Sequence, residues 1–522
     1  MTFTVGGENA AETLIVPICS DDIEEIGATR LPSWLQAYSL LPHMGERGAL
    51  TWLHGRIGER DALLVGCGEA SRLDTERIRE AAGNAGRAIH KHKKERVGIN
   101  LGELLKRFEH AVAMSEAEAV TAWVEGWKLG TYTFEVYRTQ QTKPAEVSLQ
   151  FFTGADVGSE AEVGAGADVE KEEKARFEVL NEAVRWGNIY AEGAILARNL
   201  ANEPPNMLRP KTLIEKTVEH FAGTKVEAVV YEGERLEQQG MVGLIAVGKG
   251  SKYPPALLEL RYCTDEALPL TALIGKGITF DTGGISLKKD FDISDMRMDM
   301  AGAAAVIGAL DILAAGDVRA NIVVLIAAAE NMPDGEALLP GEVLQYPNDV
   351  SVQVGNTDSE GRLVLADALI HAHRLGAVEA VDIATLTYSC GAALGSKYAG
   401  IWGQDTLVAE ITQAGKQVSE KVWQLPLVDE YEAYLHSDYA DICNISRVGE
   451  AGATTAALFL RKFVQPSLRW AHIDMASLKE VSSAQGWLSV GATGYGARLL
   501  AQFVRNRTSS ENVISEGDSR LI

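Results

Sequence analysis

Two hydrophobic periods alternate along the C-terminal two thirds of the chain. Short apolar runs typical of buried strands are separated by stretches in which apolar residues recur every three or four positions, as they do in helices. The strand candidates are residues 226–231, 256–262, 272–280, 321–328, 380–386 and 470–475, and the helical stretches include 296–315 and 362–374. This alternation predicts an α/β domain around a central, largely parallel sheet. Such sheets bind ligands at the carboxyl ends of their strands.

A smaller α/β domain is predicted ahead of it. Apolar runs at 62–66 and 147–152 indicate strands, and residues 74–92 have a helical period. Residues 154–174 are rich in Gly, Ala, Glu and Val and contain no large apolar residue, which is typical of a linker. We therefore predict an N-terminal domain over 1–155, a linker over 156–175, a larger domain over 176–510 and a tail over 511–522.

Composition and charge narrow the class of protein. The 522 residues carry a net charge of −23, which disfavours nucleic acid and anionic membranes as partners. The apolar runs are too short to span a bilayer, and the N-terminus lacks the pattern of a signal peptide. The five scattered cysteines fit a reducing compartment, so we expect a cytoplasmic protein in which the glycosylation triplets at Asn444 and Asn506 are chance matches.

Two segments carry the candidate chemistry. The first runs from Ile274 to Lys288: an apolar strand leads into a glycine-rich turn, and Asp299 follows on the next predicted helix. The second runs from Asn356 to Arg362, after a strand predicted over 350–354. In an extended stretch alternate side chains share a face, so its charged residues could point together into the strand-end crevice. The charged residues of the two segments are Lys276, Asp281, Lys288, Asp299, Asp358, Glu360 and Arg362.

Four carboxylates in one crevice repel one another unless divalent cations lie among them. Oxygen-rich sites with few nitrogen ligands suit Zn, Mn, Co or Mg, and two such ions can polarise a carbonyl together. Any one of these residues alone is more often a turn former, a helix cap or a surface charge. Their combined order and spacing favour a metal site over those structural roles.

The two segments, residues 275–299 and 356–366, resemble the signature segments of the leucyl aminopeptidase (cytosol aminopeptidase) family. Further similarity lies at 197–206, 329–333, 382–387, 437–441 and 491–496, so the resemblance covers most of residues 176–505. Residues 1–155 resemble the family's N-terminal domain only in size and in the alternation of strands and helices. Ser359 stands where the family usually has alanine. The resemblance implies a cytoplasmic homohexamer that releases N-terminal amino acids from peptides.

The resemblance also implies a role for each charged residue at a centre of two divalent ions (Zn, Mn or Co). One ion would be held by Lys276, Asp281, Asp299 and Glu360, and the other by Asp281, Asp358 and Glu360. Lys276 must be neutral to coordinate a metal, which requires a lowered pKa. Lys288 would stabilise the oxyanion. Arg362 would hold a bicarbonate ion as general base, because an arginine cannot itself be the base.

A pocket for the substrate's N-terminal side chain is implied by the same resemblance. Its expected lining is Met296, Thr385 and Tyr388. The family usually has glycine where this chain has Tyr388, and arginine where it has Leu339. We therefore expect altered preference for the N-terminal residue.

Other functions are less consistent with the sequence. Residues 243–250 nearly form a P-loop, but Gly250 replaces the Ser or Thr that binds magnesium. The absence of a His-Glu-x-x-His motif argues against a single-zinc protease, and His371 and His373 face different ways on a helix, as structural residues do. A DNA-binding regulator of the same family and a non-catalytic structural paralogue remain as alternatives. The net negative charge argues against the DNA-binding regulator, and the complete set of site residues argues against the non-catalytic paralogue.

Overall fold

The computed structural model describes residues 1–6, 11–24, 40–57, 60–109, 112–140, 146–153, 167–289 and 292–518. The chain divides into two compact units: Met1–Ala191 with Ser482–Val490, and Glu192–Val481 with Gly491–Ile522. The division falls inside a helix, Ala167–Asn202, rather than in the linker predicted over 156–175. Residues 154–166 of that linker region lie outside the described part of the chain, whereas 167–175 form the start of this helix.

The N-terminal unit contains a six-stranded sheet in the order β1-β6-β5-β2-β4-β3. Its strands are parallel except for the edge strand β3, which pairs antiparallel with β4. Asp74 caps α2 by accepting a hydrogen bond from the backbone N–H of Arg77, as is usual for a helix start. The elements are β1 (Thr2–Gly6), β2 (Thr13–Ile18), α1 (Asp21–Glu24), β3 (Leu50–Ile57), β4 (Arg60–Gly66), α2 (Thr75–Lys91), β5 (Arg96–Ile99), α3 (Leu101–Arg107), α4 (Glu116–Gly130), β6 (Ser148–Phe152) and α5 (Ala167–Asn202).

The C-terminal unit contains the larger sheet. Its helices are α6 (Pro210–Phe221), α7 (Glu234–Gln239), α8 (Val242–Gly248), α9 (Ala301–Ala315), α10 (Glu360–Arg374), α11 (Tyr388–Leu394), α12 (Asp405–Val418), α13 (Gly452–Arg461) and α14 (Ala497–Asp518). Its strands are β7 (Val226–Glu232), β8 (Ala256–Cys263), β9 (Thr271–Asp281), β10 (Asn321–Asn331), β11 (Val343–Gln345), β12 (Ser351–Gln353), β13 (Glu379–Ala384), β14 (Ala399–Gly403), β15 (Val422–Gln424), β16 (Ile442–Cys443), β17 (Arg469–Asp474), β18 (Glu480–Val481) and β19 (Gly491–Ala492).

Eight of these strands form one mostly parallel sheet in the order β15-β14-β17-β13-β9-β10-β8-β7. The four central strands, β17, β13, β9 and β10, are parallel to one another. All four are buried along almost their whole length, as expected of a parallel sheet covered on both faces, and β10 carries the long apolar run 322–329. Both the α/β class and the central, largely parallel sheet predicted from the hydrophobic pattern are confirmed. The predicted strand at 350–354 is β12, which lies in a separate three-stranded sheet, β11-β12-β16.

Helix α9 packs directly on the central strands. A Cβ on Gly302 would lie 2.2 Å from the carbonyl oxygen of Ile383, so the helix approaches β13 at backbone distance. The segment Ser294–Ala315 is apolar and long enough to cross a membrane, but 83% of its most apolar 18-residue window is buried inside the protein, as expected of a core helix.

The helix predicted over 296–315 begins later than the hydrophobic period indicated. Residues Ser294–Met298 form a 3₁₀ turn, and α9 starts only at Ala301. Asp299 therefore lies in the turn between the two and not on the helix. Its backbone N–H donates to the carbonyl of Met296 at 3.2 Å, an i to i+3 bond that tightens the chain at this point.

Candidate metal centre

The charged residues of the two segments meet at the carboxyl edge of the central strands. Asp281 is the last residue of β9, and Thr385 directly follows β13. Glu360 is the first residue of α10 and is buried at 2% exposure. Because parallel strands end at the same edge of a sheet, residues far apart in sequence converge there.

Lys276 lies at the centre of one half of this cluster. Its ammonium nitrogen is 2.8 Å from Asp299 Oδ2 and 2.8 Å from Glu360 Oε1, and it donates to the carbonyl oxygen of Thr385 at 3.1 Å. The hydroxyl of Thr385 in turn donates to Asp299 Oδ1 at 2.7 Å. The turn at Asp299 thus directs its carboxylate toward Lys276.

Lys288 lies in the other half. Its ammonium nitrogen is 2.8 Å from Asp281 Oδ2 and 2.5 Å from Asp358 Oδ1. The amide of Asn331 and the backbone N–H of Gly283 both donate to Asp281 Oδ1 at 2.9 Å, which fixes the orientation of that carboxylate. Four carboxylates and two ammonium groups are therefore interleaved in one buried cluster.

The donor set fits divalent cations. Asp281, Asp358 and Glu360 each offer a carboxylate oxygen, and these atoms lie within 4.8 Å of one another. Glu360 Oε2 is buried and has no hydrogen-bond partner among the described residues. A buried carboxylate oxygen without a partner is energetically costly, and a hard divalent ion, which prefers oxygen ligands, would satisfy it.

The pKa shifts in the cluster reflect burial and the repulsion between its carboxylates. Burial, together with the charge of Glu360, raises the pKa of the Asp281 carboxyl despite the two lysines beside it. Burial alone would lower the pKa of Lys276, but the charges of Asp299 and Glu360 outweigh it and raise that pKa. The neighbouring carboxylates therefore favour the charged form of Lys276, whereas the role implied by the family requires a neutral amine. Divalent ions taking the place of its proton would remove this conflict.

Arg362 is oriented differently from the sequence expectation. The sequence pattern predicts an extended stretch in which Asp358, Glu360 and Arg362 could share one face. In the structure α10 begins at Glu360, so Glu360 and Arg362 lie on the first turn of a helix. The guanidinium donates to the carbonyl oxygen of Asn444 at 2.8 Å. It is buried and forms no ion pair within the described residues, and burial lowers its pKa to about 10. An unpaired buried cation of this kind favours a bound anion.

The three residues expected to line a substrate pocket lie beside the cluster. Thr385 points at Asp299, as described above, so its hydroxyl orients a ligand candidate. Tyr388 is 63% exposed, and its hydroxyl lies 3.8 Å from the sulfur of Met296. The centroid of the Tyr388 ring is 5.8 Å from the ammonium nitrogen of Lys288, a cation–π distance. Tyr388 therefore stands at the mouth of the cluster rather than inside it.

Several supporting residues were not singled out from the sequence. Asn331 bridges the two segments by donating to Asp281 and, at 3.0 Å, to the carbonyl of Thr357. Thr357 donates to the carbonyl of Gly283 at 2.6 Å. Asn331 ends β10 and falls in the family-like segment 329–333, and Asn444 directly follows β16. Both are uncharged, so a search for charged ligands did not select them as site residues. His371, expected to be structural, contacts Glu259 Oε2 at 3.1 Å in the core.

A separate cavity of about 930 Å³ lies at the opposite, amino edge of the sheet. Its lining includes Thr271 at the start of β9 and Asn321 at the start of β10, with Phe503 and Arg507 of α14. None of the predicted site residues lines it. The carboxylate cluster is thus distinct from this cavity.

Comparison with known proteins identifies a family that agrees with the charged cluster at the carboxyl edge of the sheet. Residues 195–501 match the family described as "Cytosol aminopeptidase family, catalytic domain", and residues 43–141 match "Cytosol aminopeptidase family, N-terminal domain". A probable cytosol aminopeptidase of Geobacter sulfurreducens is 36% identical over 467 residues, which is 88% of each chain. Another, from Geotalea uraniireducens, is 37% identical over 495 residues, which is 93% of each chain.

Among solved structures, the bottromycin maturation enzyme BotP is similar with a TM-score of 0.79 and 29% identity, covering 96% of this chain and 100% of that one. The same enzyme in complex with Mn is similar with a TM-score of 0.80 and the same coverage. The resemblance noted in the two charged segments is therefore confirmed along nearly the whole sequence. The chain belongs to the cytosol aminopeptidase family and is a peptidase.

Proposed function

We propose that this peptidase is an aminopeptidase that releases N-terminal amino acids from peptides at a centre of two divalent metal ions. The observation that carries the proposal is the buried cluster at the carboxyl edge of the sheet. Asp281, Asp299, Asp358 and Glu360 converge there around the ammonium groups of Lys276 and Lys288. A purely structural ion-pair cluster would not leave a buried carboxylate oxygen of Glu360 without a partner.

Each ion has its own proposed ligands. Lys276, Asp281, Asp299 and Glu360 would hold one ion, and Asp281, Asp358 and Glu360 the other, so that two carboxylates are shared. When bound, the ions would polarise the scissile carbonyl and lower the pKa of a water molecule. Lys276 must give up its proton for this arrangement, so metal binding would release protons.

The remaining cations act on the substrate side. Lys288 remains charged, because the carboxylates around it raise its pKa against the effect of burial. Its ammonium would stabilise the negative charge that develops on the substrate carbonyl oxygen. Arg362 would hold a bicarbonate ion, whose carboxylate-like oxygen would supply a general base. The buried, unpaired guanidinium supports an anion at that position.

The metals are proposed to be Zn, Mn or Co, and the solved relative in complex with Mn supports this class of ion. The cytoplasm is the proposed compartment, because the relatives are named for the cytosol. A homohexamer is the proposed assembly. Sedimentation velocity should then give a mass six times that of one chain.

The function is tested with protein stripped by a chelator and reloaded with Zn²⁺, Mn²⁺ or Co²⁺ singly. Hydrolysis of a panel of aminoacyl amides should be lost on stripping and return with at least one ion. A matched substrate with an acetylated N-terminus should not be cleaved, because an aminopeptidase requires the free α-amine. Equal cleavage of free and acetylated substrates would exclude an aminopeptidase, and no cleavage with any ion would favour a non-catalytic member of the family.

A further inference from the structure

Asn444 is completely buried beside the loop that carries Asp358. Its side-chain oxygen accepts from the backbone N–H groups of Gly355 and Asn356, at 2.7 and 3.2 Å. Its side-chain nitrogen donates to the carbonyl oxygens of Asn356 and Ser359, at 2.7 and 3.4 Å. A primary amide has two donor hydrogens and two acceptor lone pairs, so every hydrogen-bonding position of this side chain is used.

The backbone of Asn444 extends the same set of contacts. Its N–H donates to the carbonyl of Gln353, the last residue of β12, at 3.0 Å. Its carbonyl oxygen accepts from Arg362 at 2.8 Å. One residue therefore holds the end of the strand before the loop, both ends of the loop and the arginine after it.

The loop needs such support because residues 355–359 form no helix or strand. The segment places Asp358, and Glu360 follows it directly. Metal ligands must be held within about half an ångström of their working geometry, and an irregular loop does not hold them by itself. Residues that orient ligands from behind typically change metal affinity by about 10–100-fold when they are replaced.

We propose that Asn444 is the positioning residue of the carboxylate loop, setting the geometry in which Asp358 and Glu360 receive divalent cations. This inference rests on the proposed function for its catalytic meaning, although the metal binding it concerns can be measured separately. The Asn444-Ile-Ser triplet accordingly has a structural explanation: its amide is buried and fully hydrogen-bonded, so it cannot accept a glycan in the folded protein.

No other side chain of similar size can make these contacts. An aspartate has the same shape but no N–H, so its second oxygen would face the carbonyl oxygens of Asn356 and Ser359. An alanine would leave buried backbone groups of the loop without partners, which is unfavourable. The near-isosteric Asn444→Asp is therefore the most informative change, since it alters hydrogen bonding with little change in volume.

The experiment titrates chelator-stripped protein with Mn²⁺ by calorimetry and records the visible d–d absorption of the Co²⁺-loaded form. Asn444→Asp should bind at least one ion about 10–100-fold more weakly than the unaltered protein. The Co²⁺ bands, which report ligand geometry, should also shift. Asn321→Asp is the matched control: Asn321 donates to the carbonyl of Leu268 at 2.9 Å at the amino end of β10, away from the cluster. Asn321→Asp should leave the Mn²⁺ affinity and the Co²⁺ spectrum unchanged.

Unaltered ion affinity and an unaltered Co²⁺ spectrum in Asn444→Asp would overturn the positioning role. Asn444→Ala gives the same two readouts without a new charge, should the aspartate variant fail to fold. Weakened ion binding in these variants, combined with no peptide hydrolysis by the unaltered protein, would support the positioning role and overturn the proposed function. Hydrolysis by the unaltered protein, combined with normal ion binding in both variants, would support the proposed function and overturn the positioning role.

Discussion

At the scale of single residues, the two lysines of the cluster differ in what they can do. Lys276 is surrounded by carboxylates and a backbone carbonyl, whereas Lys288 also has the exposed ring of Tyr388 on one side. An ammonium near the mouth of the site can reach a substrate carbonyl. Lys288 is therefore the better candidate for transition-state stabilisation, and Lys276 for metal binding.

Replacing Lys288 should impair turnover without emptying the metal site. Lys288→Ala should lower kcat by about 100-fold or more, as expected for the loss of one oxyanion donor, while both ions remain bound. Steady-state kinetics and metal analysis of the same preparation measure the two effects. The exposed neighbour Lys289 is the control, because Lys289→Ala should have normal kcat. Near-normal kcat in Lys288→Ala would contradict the assignment.

Replacing a shared carboxylate should act on the metals themselves. Asp281→Ala or Glu360→Ala should abolish peptide hydrolysis and reduce metal content to one ion per chain or fewer, because each carboxylate is proposed to contact both ions. Metal analysis after dialysis measures this content. Two tightly bound ions in both variants would rule out the bridging roles.

Tyr388 should affect substrate preference rather than metal binding. Its ring lies at the mouth of the cluster, with its hydroxyl near Met296, and in the proposed pocket it would limit the space for a bulky N-terminal side chain. Tyr388→Gly should raise kcat/KM for leucyl relative to alanyl substrates by about 10-fold, the usual effect of reshaping a pocket. Tyr388→Phe keeps the ring and should keep the ratio. An unchanged ratio in metal-loaded Tyr388→Gly would mean that the ring lies outside the pocket.

At the scale of elements, the close packing of α9 on the sheet positions the ligand-bearing strand. A Cβ on Gly302 would lie 2.2 Å from the carbonyl oxygen of Ile383 and 3.1 Å from the backbone nitrogen of Lys276. These are backbone atoms, which cannot move aside as a flexible side chain can. The helix and strands β9 and β13 are thus held in one arrangement by a residue without a side chain.

Gly302→Ala should therefore destabilise the protein by about 1–3 kcal/mol, the usual effect of overpacking a core. Urea unfolding measures the change. Gly335 has no atom within 4 Å of an added Cβ, so Gly335→Ala is the matched control and should unfold like the unaltered protein. Equal midpoints for the two variants would show that the helix can move away from the sheet at little cost.

At the scale of the whole molecule, the metal-free cluster should make stability depend on pH. Burial, with the charges of Asp281 and Glu360, raises the pKa of Asp358 to about 7, and burial also raises that of Asp299 to about 7. A carboxyl whose pKa is raised on folding binds more protons in the folded state than in the unfolded state. Its stability contribution is present at low pH and is lost as pH rises through the folded pKa.

The melting temperature of chelator-stripped protein should therefore fall between about pH 4 and about pH 7, the interval between the ordinary and the raised pKa of these carboxyls. Bound divalent ions neutralise the carboxylates, so metal-loaded protein should show a smaller fall. Differential scanning calorimetry across this interval compares the two forms. Parallel curves for stripped and loaded protein would show that the cluster does not control the pH dependence.

The hydrophobic pattern was enough to predict the class of fold, and the two charged segments contain all the residues of the cluster. Apolar runs predict buried strands because a sheet covered on both faces favours apolar side chains on both sides of each strand. Lys276 is within β9, Asp281 ends it, and parallel strands bring such ends to one edge. The hydrophobic period also indicated a helix after 296, although it could not distinguish the 3₁₀ turn at Ser294–Met298 from α-helix. Both conformations bury residues of similar spacing.

The orientation of the side chains in the cluster depends on contacts between residues that are distant in sequence. The carboxylate of Asp299 is oriented by contacts with Lys276 and with Thr385, which is 86 residues away in sequence. Arg362 is directed by the carbonyl of Asn444, 82 residues further along the chain. Local periodicity cannot encode such contacts, because the direction of a loop side chain depends on hydrogen bonds to partners that folding alone brings close.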